Sequence, residues 1–400
     1  MNELSEIAKR ESRLLCGTYA RYPLHLVQGR GARVIDAQGR EYVDLLAGIA
    51  VCVLGHCHPE ITRVIAEQAA RLVHVSNLFY QTQQLELAER LLAGCDLDRV
   101  FFCNSGAEAN EAAIKLVRRY AQEVAGGQAF EIITLQGSFH GRTLATLTAT
   151  GQDKIKTGFD PLPSGFVSVP FEDGQGLEEA ITPRTAAIML EVIQGEGGIR
   201  QVSEVFASRI QDLCTRHGLL LVIDEVQTGM GRTGRLWAHQ HTGLKPDIMT
   251  VAKGLANGLP IGAMLCTQEV SQGFGPGSHA TTFGGGPLVS AAAAAVLDII
   301  EDQGLCARAG ALGAMCREEL AKVQARHPQW ITQIRGQGLM LGIELASSGR
   351  EIWQALLDQG FICNLTQDRV LRLVPPLIVE EQDLRAFLAT LEGIVQSHEL

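Results

Sequence analysis

Leu219-Leu220-Leu221-Val222-Ile223-Asp224-Glu225-Val226-Gln227 is the stretch that decides the fold of this 400-residue chain. Five apolar residues run without interruption into two acids. A continuous apolar run of that length predicts a strand buried on both faces, as in a parallel sheet covered by helices. Ligands of such sheets bind beyond the carboxyl ends of the strands, which is where Asp224 falls. Alone, an acid at that point can hold a protonated ring nitrogen, cap the next element or bind magnesium, and this stretch does not separate the three.

A second strand-like stretch ends in a base. Asp247-Ile248-Met249-Thr250-Val251-Ala252-Lys253-Gly254 carries one of only seven lysines in the chain, and Lys253 alone among them closes an apolar run. Lost hydration there favours the neutral amine, which can form a Schiff base with an aldehyde. The competing reading is a lysine capping a strand end at the surface. A third stretch reads strand, turn, helix: Val100-Phe101-Phe102-Cys103, then Asn104-Ser105-Gly106-Ala107-Glu108-Ala109-Asn110-Glu111. Ser105 can cap that helix while Gly106 and Ala107 leave their N–H groups open, which makes an anion site. An ordinary serine-capped turn has the same look. Strand-end acid, strand-end lysine and open helix start together fit one phosphorylated cofactor better than three coincidences do, and an acid in that place can hold the protonated ring nitrogen of pyridoxal phosphate.

Composition bounds the rest. A length of 400 residues predicts more than one core. The net charge of −10 argues against a nucleic-acid partner, which would require a basic face. The charged N-terminus lacks the apolar core of a signal peptide, no apolar stretch is long enough to span a bilayer, and ten cysteines without C-x-x-C pairs read as reduced thiols. A cytoplasmic location is therefore expected. Strands are predicted at 100–103, 131–135, 166–169, 186–190, 219–223, 248–251 and 261–266, with helices at 60–73, 83–93, 106–124, 176–181 and 203–217. That alternation predicts an α/β domain with a mainly parallel seven-stranded sheet. A hairpin at 33–44, an alanine-rich helix at 288–302, strands at 339–345 and 370–373 and a helix near 349–359 predict a smaller α+β domain. The expected division is 1–58 as an N-terminal segment packing with the small domain, 59–287 as the large domain, and 288–400 as linking helix and small domain.

Taken together, the motifs resemble the class III, fold type I pyridoxal-phosphate aminotransferases. The resemblance spans nearly the whole chain and is nearest to the acetylornithine branch of the family. It rests on Gly48-Ile49-Ala50-Val51, Leu54-Gly55-His56, His58-Pro59, Ser76-Asn77-Leu78-Phe79-Tyr80, Asn104 to Asn110 and Phe139-His140-Gly141-Arg142-Thr143, then Gln194-Gly195-Glu196-Gly197-Gly198, Asp224 to Gly229, and Lys253. Cys52 stands where that branch commonly has asparagine, Val53 follows where a small residue is common, and Gly286 stands where it commonly has Gly-Gly-Asn-Pro.

The resemblance implies roles for individual residues. Lys253 is expected as Schiff-base lysine and proton shuttle, Asp224 on the pyridinium nitrogen, Gln227 on the ring's phenolic oxygen and Phe139 on the ring face. Ser105, Gly106 and Ala107 are expected to hold the phosphate, with Thr282 of a second subunit, so a homodimer with shared active sites is implied. Arg142 and Arg372 are expected to bind substrate carboxylates, with Glu196 pairing with Arg372 when its carboxylate is absent. Two guanidiniums gripping two carboxylates bidentately fix which amine reaches the cofactor. The implied reaction moves the distal amine of N-acetylornithine to 2-oxoglutarate, giving N-acetylglutamate 5-semialdehyde and glutamate, a step of arginine biosynthesis. Succinylornithine, ornithine and 4-aminobutyrate are alternative amine donors.

Two motifs point elsewhere. Gly229-Met230-Gly231-Arg232-Thr233-Gly234 matches a dinucleotide fingerprint, but Asp224, Glu225 and Gln227 intervene after the strand and no helix pattern opens at Gly234. His56-Cys57-His58 suggests a metal, yet adjacent side chains diverge and no further ligand pair is near in sequence, so no metal is expected.

Overall fold

The structure, a computed structural model, describes residues 3–397. Residues 1–2 and 398–400, the outermost parts of the first and last expected domains, lie outside them.

Seven strands form the central sheet: β1 (Arg99–Cys103), β2 (Glu131–Leu135), β3 (Phe166–Val169), β4 (Thr185–Leu190), β5 (Leu220–Asp224), β6 (Ile248–Val251) and β7 (Gly262–Cys266). Their order is β1-β7-β6-β5-β4-β2-β3. Only β7 runs against its neighbours; β6, β5, β4, β2 and β3 are parallel. Each sequence-predicted strand is present, with ends moved by one residue at most. Successive residues of these strands feed opposite faces of the sheet. Ile132, Met189 and Val222 join the core under the helix Gly106–Arg119. Ile133, Ile188, Leu221 and Ile223 join the core under the helix Glu204–His217. Apolar side chains are therefore needed at consecutive positions, which is why the strands read as unbroken runs.

The third core ties the remaining elements together. The helix Pro287–Asp302 packs against the helices Pro59–Arg71 and Thr82–Ala93 and shares its core with the C-terminal elements. Those elements form a four-stranded antiparallel sheet ordered Ile331–Gln337, Met340–Leu345, Val370–Leu373, Asn364–Thr366. The N-terminal hairpin Arg33–Asp36 and Glu41–Asp44 reaches the same lobe, because Val43 and Asp44 pair in parallel with Phe361 and Ile362. Several elements went unread in sequence, among them the strands Leu26–Arg30 and Ile331–Gln337 and the helices Glu3–Leu14, Leu144–Ala149, Leu305–Arg326 and Glu381–Ser397.

The glycine loop 229–234 is a packing joint between the lobes. A Cβ on Gly231 would stand 3.1 Å from Leu377, and one on Gly234 would stand 3.1 Å from the backbone of Gly310. Arg232, buried between them, donates to the carbonyls of Leu339 and Pro375. His56, from the histidine pair, has its Nε2 2.7 Å from Asp44 Oδ2. Among the described residues no helix is long and apolar enough to cross a membrane.

The helix Leu305–Arg326 crosses the turn at Gly338 through Gly313, where an added Cβ would lie 2.0 Å from the Gly338 carbonyl oxygen. Backbone cannot yield as a side-chain tip can, so Gly313→Ala is expected to cost about 1–3 kcal/mol or more. Its midpoint of urea denaturation should fall; an unchanged midpoint would mean that the crossing has slack.

Candidate active site

A cavity of about 420 Å³ opens at the carboxyl ends of β4 and β5. One end is the start of the helix Gly106–Arg119. Ser105 caps that helix, its Oγ accepting from Glu108 N at 3.2 Å. The first-turn N–H groups of Gly106 and Ala107 have no intrahelical acceptor, and both residues line the cavity. Gly106 has no room for a side chain, because a Cβ would lie 2.7 Å from Val226 Cγ1. This cradle suits a phosphate.

The floor is an acid held from several sides. Asp224 is buried at the end of β5. Its Oδ1 accepts from Val226 N at 3.0 Å. Its Oδ2 accepts from Asn110 Nδ2 and His140 Nδ1, each at 2.8 Å. Asn110 is fixed in turn, since its Oδ1 accepts from Thr250 Oγ1 at 2.7 Å and its Nδ2 also donates to His140 O. Phe139 supplies an aromatic wall.

Lys253 enters at the end of β6, at a backbone φ of +42° that few side-chain-bearing residues adopt. Burial pushes its amine below the usual lysine range and Arg372 adds to this, while Glu196, Glu191 and Asp224 pull the other way. The net direction is down, toward the neutral amine that a nucleophile and proton carrier needs.

Behind Gln227 lies a second charged group. Arg372, on the strand Val370–Leu373, is 1 % exposed, so it is a buried charge and not a solvated one. Its Nη1 donates to Glu196 Oε1 at 2.5 Å, Gly195 O at 2.9 Å and Gln227 Oε1 at 3.1 Å, and its Nε donates to Asn364 Oδ1 at 2.8 Å. Burial alone would raise the Glu196 carboxyl, but Arg372 and Lys253 outweigh it and hold it below the usual range. Gly195 makes room for this packing: a Cβ there would meet Gln227 Nε2 at 2.4 Å. Arg142 is different. It stands exposed at the mouth, its guanidinium carbon 5.5 Å from the centroid of the Phe139 ring, and no carboxylate pairs with it among the described residues.

Ser105, Gly106, Ala107 and Phe139 thus meet Asp224, Gln227, Lys253 and Arg142 in one cavity, with Glu196 and Arg372 against Gln227. Thr282 does not reach it within this chain. It is exposed, one residue from Thr281, whose Oγ1 accepts from Asn104 Nδ2 at 3.2 Å. The helix-start cradle, the aromatic wall, the anchored acid and the amine all fit pyridoxal phosphate. Sequence reasoning missed three participants. Asn110 and His140 act through Asp224, and Glu191 lines the cavity. Glu191 carried a usable signal: β4 runs into it as β5 runs into Asp224.

Residues 18–395 match the model of the family described as aminotransferase class-III. The chain is 46% identical over 376 residues to the acetylornithine aminotransferase of Methanocaldococcus jannaschii, covering 94% of each chain. It is 48% identical over 387 residues to acetylornithine aminotransferase 1 of Bordetella bronchiseptica, covering 96% of this chain and 98% of that one. Among solved structures, the ornithine aminotransferase of Toxoplasma gondii superposes with a TM-score of 0.95 at 33% identity, covering 100% of this chain and 95% of that one; it reveals partial occupancy of PLP at its active site.

Asn110→Ala would strand the Thr250 hydroxyl and remove one donor to Asp224. Leaving buried polar groups unpaired costs about 1–3 kcal/mol. Adding Thr250→Val removes one of the stranded groups, so the double variant should recover part of the loss. A denaturation cycle over the four proteins checks this, and strictly additive losses would break the network assignment.

Proposed function

The chain belongs to the class III aminotransferases, and from that premise we infer that it is a pyridoxal-phosphate-dependent aminotransferase that moves the distal amine of N-acetylornithine to 2-oxoglutarate. The products are N-acetylglutamate 5-semialdehyde and glutamate, the chemistry of arginine biosynthesis. The observation that carries the reading is the depressed Lys253 amine in one cavity with the anchored Asp224 and the open helix start. Relatives named acetylornithine aminotransferase at 46% and 48% identity favour the acetylated donor. The fit to an ornithine aminotransferase structure keeps free ornithine as the second reading.

Pyridoxal phosphate, when bound, supplies an aldehyde that takes up the amino group and a protonated ring that accepts electrons. Gly106 and Ala107 amides and the Ser105-capped helix start are assigned to its phosphate, Asp224 to its ring nitrogen and Phe139 to its ring face. Gln227 is assigned to its phenolic oxygen. Gln227 Oε1 accepts from Arg372, so its amide nitrogen, which also reaches the Glu196 carboxylate, is the end able to donate to that oxygen. Lys253 Nζ, its basicity lowered by burial, removes the proton from the substrate carbon that bears the migrating amine and returns one to that carbon in the reverse half-reaction.

The arginines select the substrate. Arg142, unpaired at the mouth, takes the α-carboxylate of the acylated donor bidentately. Arg372 takes the α-carboxylate of glutamate or 2-oxoglutarate and is held by Glu196 while the donor is bound. The Glu196–Arg372 contact at 2.5 Å is the arrangement expected for the donor state.

The same reading includes a homodimer. Asn77 Nδ2 donates to Gly284 O at 3.1 Å, so the segments around Leu78–Tyr80 and Thr282 adjoin. Leu78, Phe79, Tyr80 and Phe283 are 65% or more exposed there. An apolar patch of that kind marks a protein interface. A second subunit seated on it would bring each Thr282 toward the other's phosphate cradle. The divisions after residues 58 and 287 and a cytoplasmic location belong to this reading, the latter supported by ten cysteines that are all unpaired thiols.

Lys253→Ala should abolish the near-visible absorption of the holoenzyme and lower turnover by at least about 10³-fold, as loss of the nucleophile and base together requires. An unchanged spectrum would refute the lysine assignment. Arg372→Ala should weaken the glutamate half-reaction by about 10²-fold in single-turnover kcat/KM and the acetylornithine half-reaction far less. Equal losses in both would remove Arg372 from substrate selection. Faster single turnover with ornithine than with acetylornithine would move the donor and keep the chemistry.

A further inference from the structure

Glu191 has no part in the chemistry above, yet it occupies the centre of the site. It follows β4 directly and is 5% exposed. Its Oε2 accepts from Phe139 N at 2.9 Å and its Oε1 accepts from Gly195 N at 3.1 Å. No arginine or lysine pairs with it among the described residues.

A buried carboxylate without a cation is costly, so the residue type calls for a reason. The two amides answer it. They belong to different segments, each carrying one half of substrate recognition. The Phe139 segment leads to Arg142, whose guanidinium lies over the Phe139 ring. The Gly195 segment offers its carbonyl to Arg372 Nη1 at 2.9 Å and continues into Glu196. The two backbone donors approach different oxygens of the one side chain, so each end of it must accept. A carboxylate accepts at both, whereas a glutamine presents one oxygen and turns a donor toward the other amide. Burial pushes the Glu191 carboxyl up to about 7, with Asp224 adding to the rise and His140 and the two amides opposing it. The site therefore keeps a group that is expensive to ionise at the one point from which both segments can be held.

We propose that Glu191 is a positioning residue that sets the Arg142 and Arg372 carboxylate clamps in register with each other by holding the Phe139 and Gly195 amides at once. The proposal rests on the reading of those arginines as substrate clamps. It does not make Glu191 a proton carrier. Lys253 keeps that task, and Glu191 acts on it only through charge.

The test is single-turnover kinetics of the holoenzyme in each half-reaction, with N-acetylornithine and with glutamate. Glu191→Ala frees both amides and should raise the apparent dissociation constant of both substrates about tenfold or more, with a smaller fall in the limiting rate. Glu191→Gln keeps the side chain's shape and one acceptor, so it should raise the constant for one substrate and spare the other. If Glu191→Ala fails to fold, the one-sided change in Glu191→Gln carries the test alone. Loss of the limiting rates with both constants unchanged would overturn the proposal, and so would unchanged kinetics in Glu191→Gln. Arg142→Ala and Arg372→Ala separate this outcome from failure of the premise. If neither arginine variant moves either constant, the clamp reading is wrong. If they do and the Glu191 variants do not, only the positioning role is wrong.

Discussion

An amine whose basicity is lowered by burial among carboxylates is the constraint on which this molecule turns. Lys253 faces Glu196, Glu191 and Asp224, each of which favours its protonated form, and burial with Arg372 nearby overrides all three. That balance holds only while the acids have partners of their own. Asp224 is satisfied by Asn110, His140 and the Val226 amide, Glu191 by two amides and Glu196 by Arg372. Release any of these acids from its partners and its charge would fall on the lysine instead. The surrounding hydrogen bonds therefore bear on reactivity as much as on stability.

The fold supplies those partners from elements far apart in sequence. Parallel strands deliver Asp224 and Glu191 to one edge of the sheet, and the helix Gly106–Arg119 crosses that edge so that Asn110 meets Asp224 from one side and Thr250 from the other. Arg372 arrives from the small lobe, more than a hundred residues later, and is buried against the large one. Its approach depends on the fit between the lobes. That fit is set by the loop 229–234, where glycines admit close backbone contact and Arg232 ties the carbonyls of Leu339 and Pro375. A glycine pattern that mimics a nucleotide fingerprint thus does mechanical work at a distance from any ligand.

Legibility in the sequence followed physical cause. The inner strands of the central sheet were readable because burial on both faces demands near-continuous apolar runs, and the runs of β5 and β6 lead into an acid and a lysine. The helix Leu305–Arg326 went unread although Leu305, Leu312, Cys316, Leu320 and Val323 are buried at helical spacing, because the alanines and glycines between them blunt the contrast between its faces. The short strand Leu26–Arg30 is mostly exposed and so carries no alternation. Within the site, the residues expected to touch a ligand sit in recognisable motifs, and the structure gathers most of them in one cavity. Those that act through another residue went unread, because Asn110 in a helix and His140 after an aromatic look ordinary until their partners are placed. Thr282 is a case of another kind, a residue whose expected role belongs to a neighbouring copy.

On the proposed reading of the two arginines as substrate clamps, the contrast between them lets one site take two substrates in turn. Arg142 is exposed and unpaired, so a carboxylate can reach it without first breaking a protein contact, and its guanidinium already lies over the Phe139 ring. Arg372 is buried and already holds Glu196, two carbonyl-type acceptors and Asn364. A substrate carboxylate there must displace Glu196, exchanging one buried ion pair for another of the same kind. Such an exchange leaves little net charge stranded at any stage, whereas an empty guanidinium in that position would bear the full cost of an unpaired buried charge. Glu196 is partly exposed, unlike the arginine it holds, so it has somewhere to go when displaced. The proposed switch would therefore be built from a fixed cation and a movable anion, with selectivity between the half-reactions set by which carboxylate the cation holds.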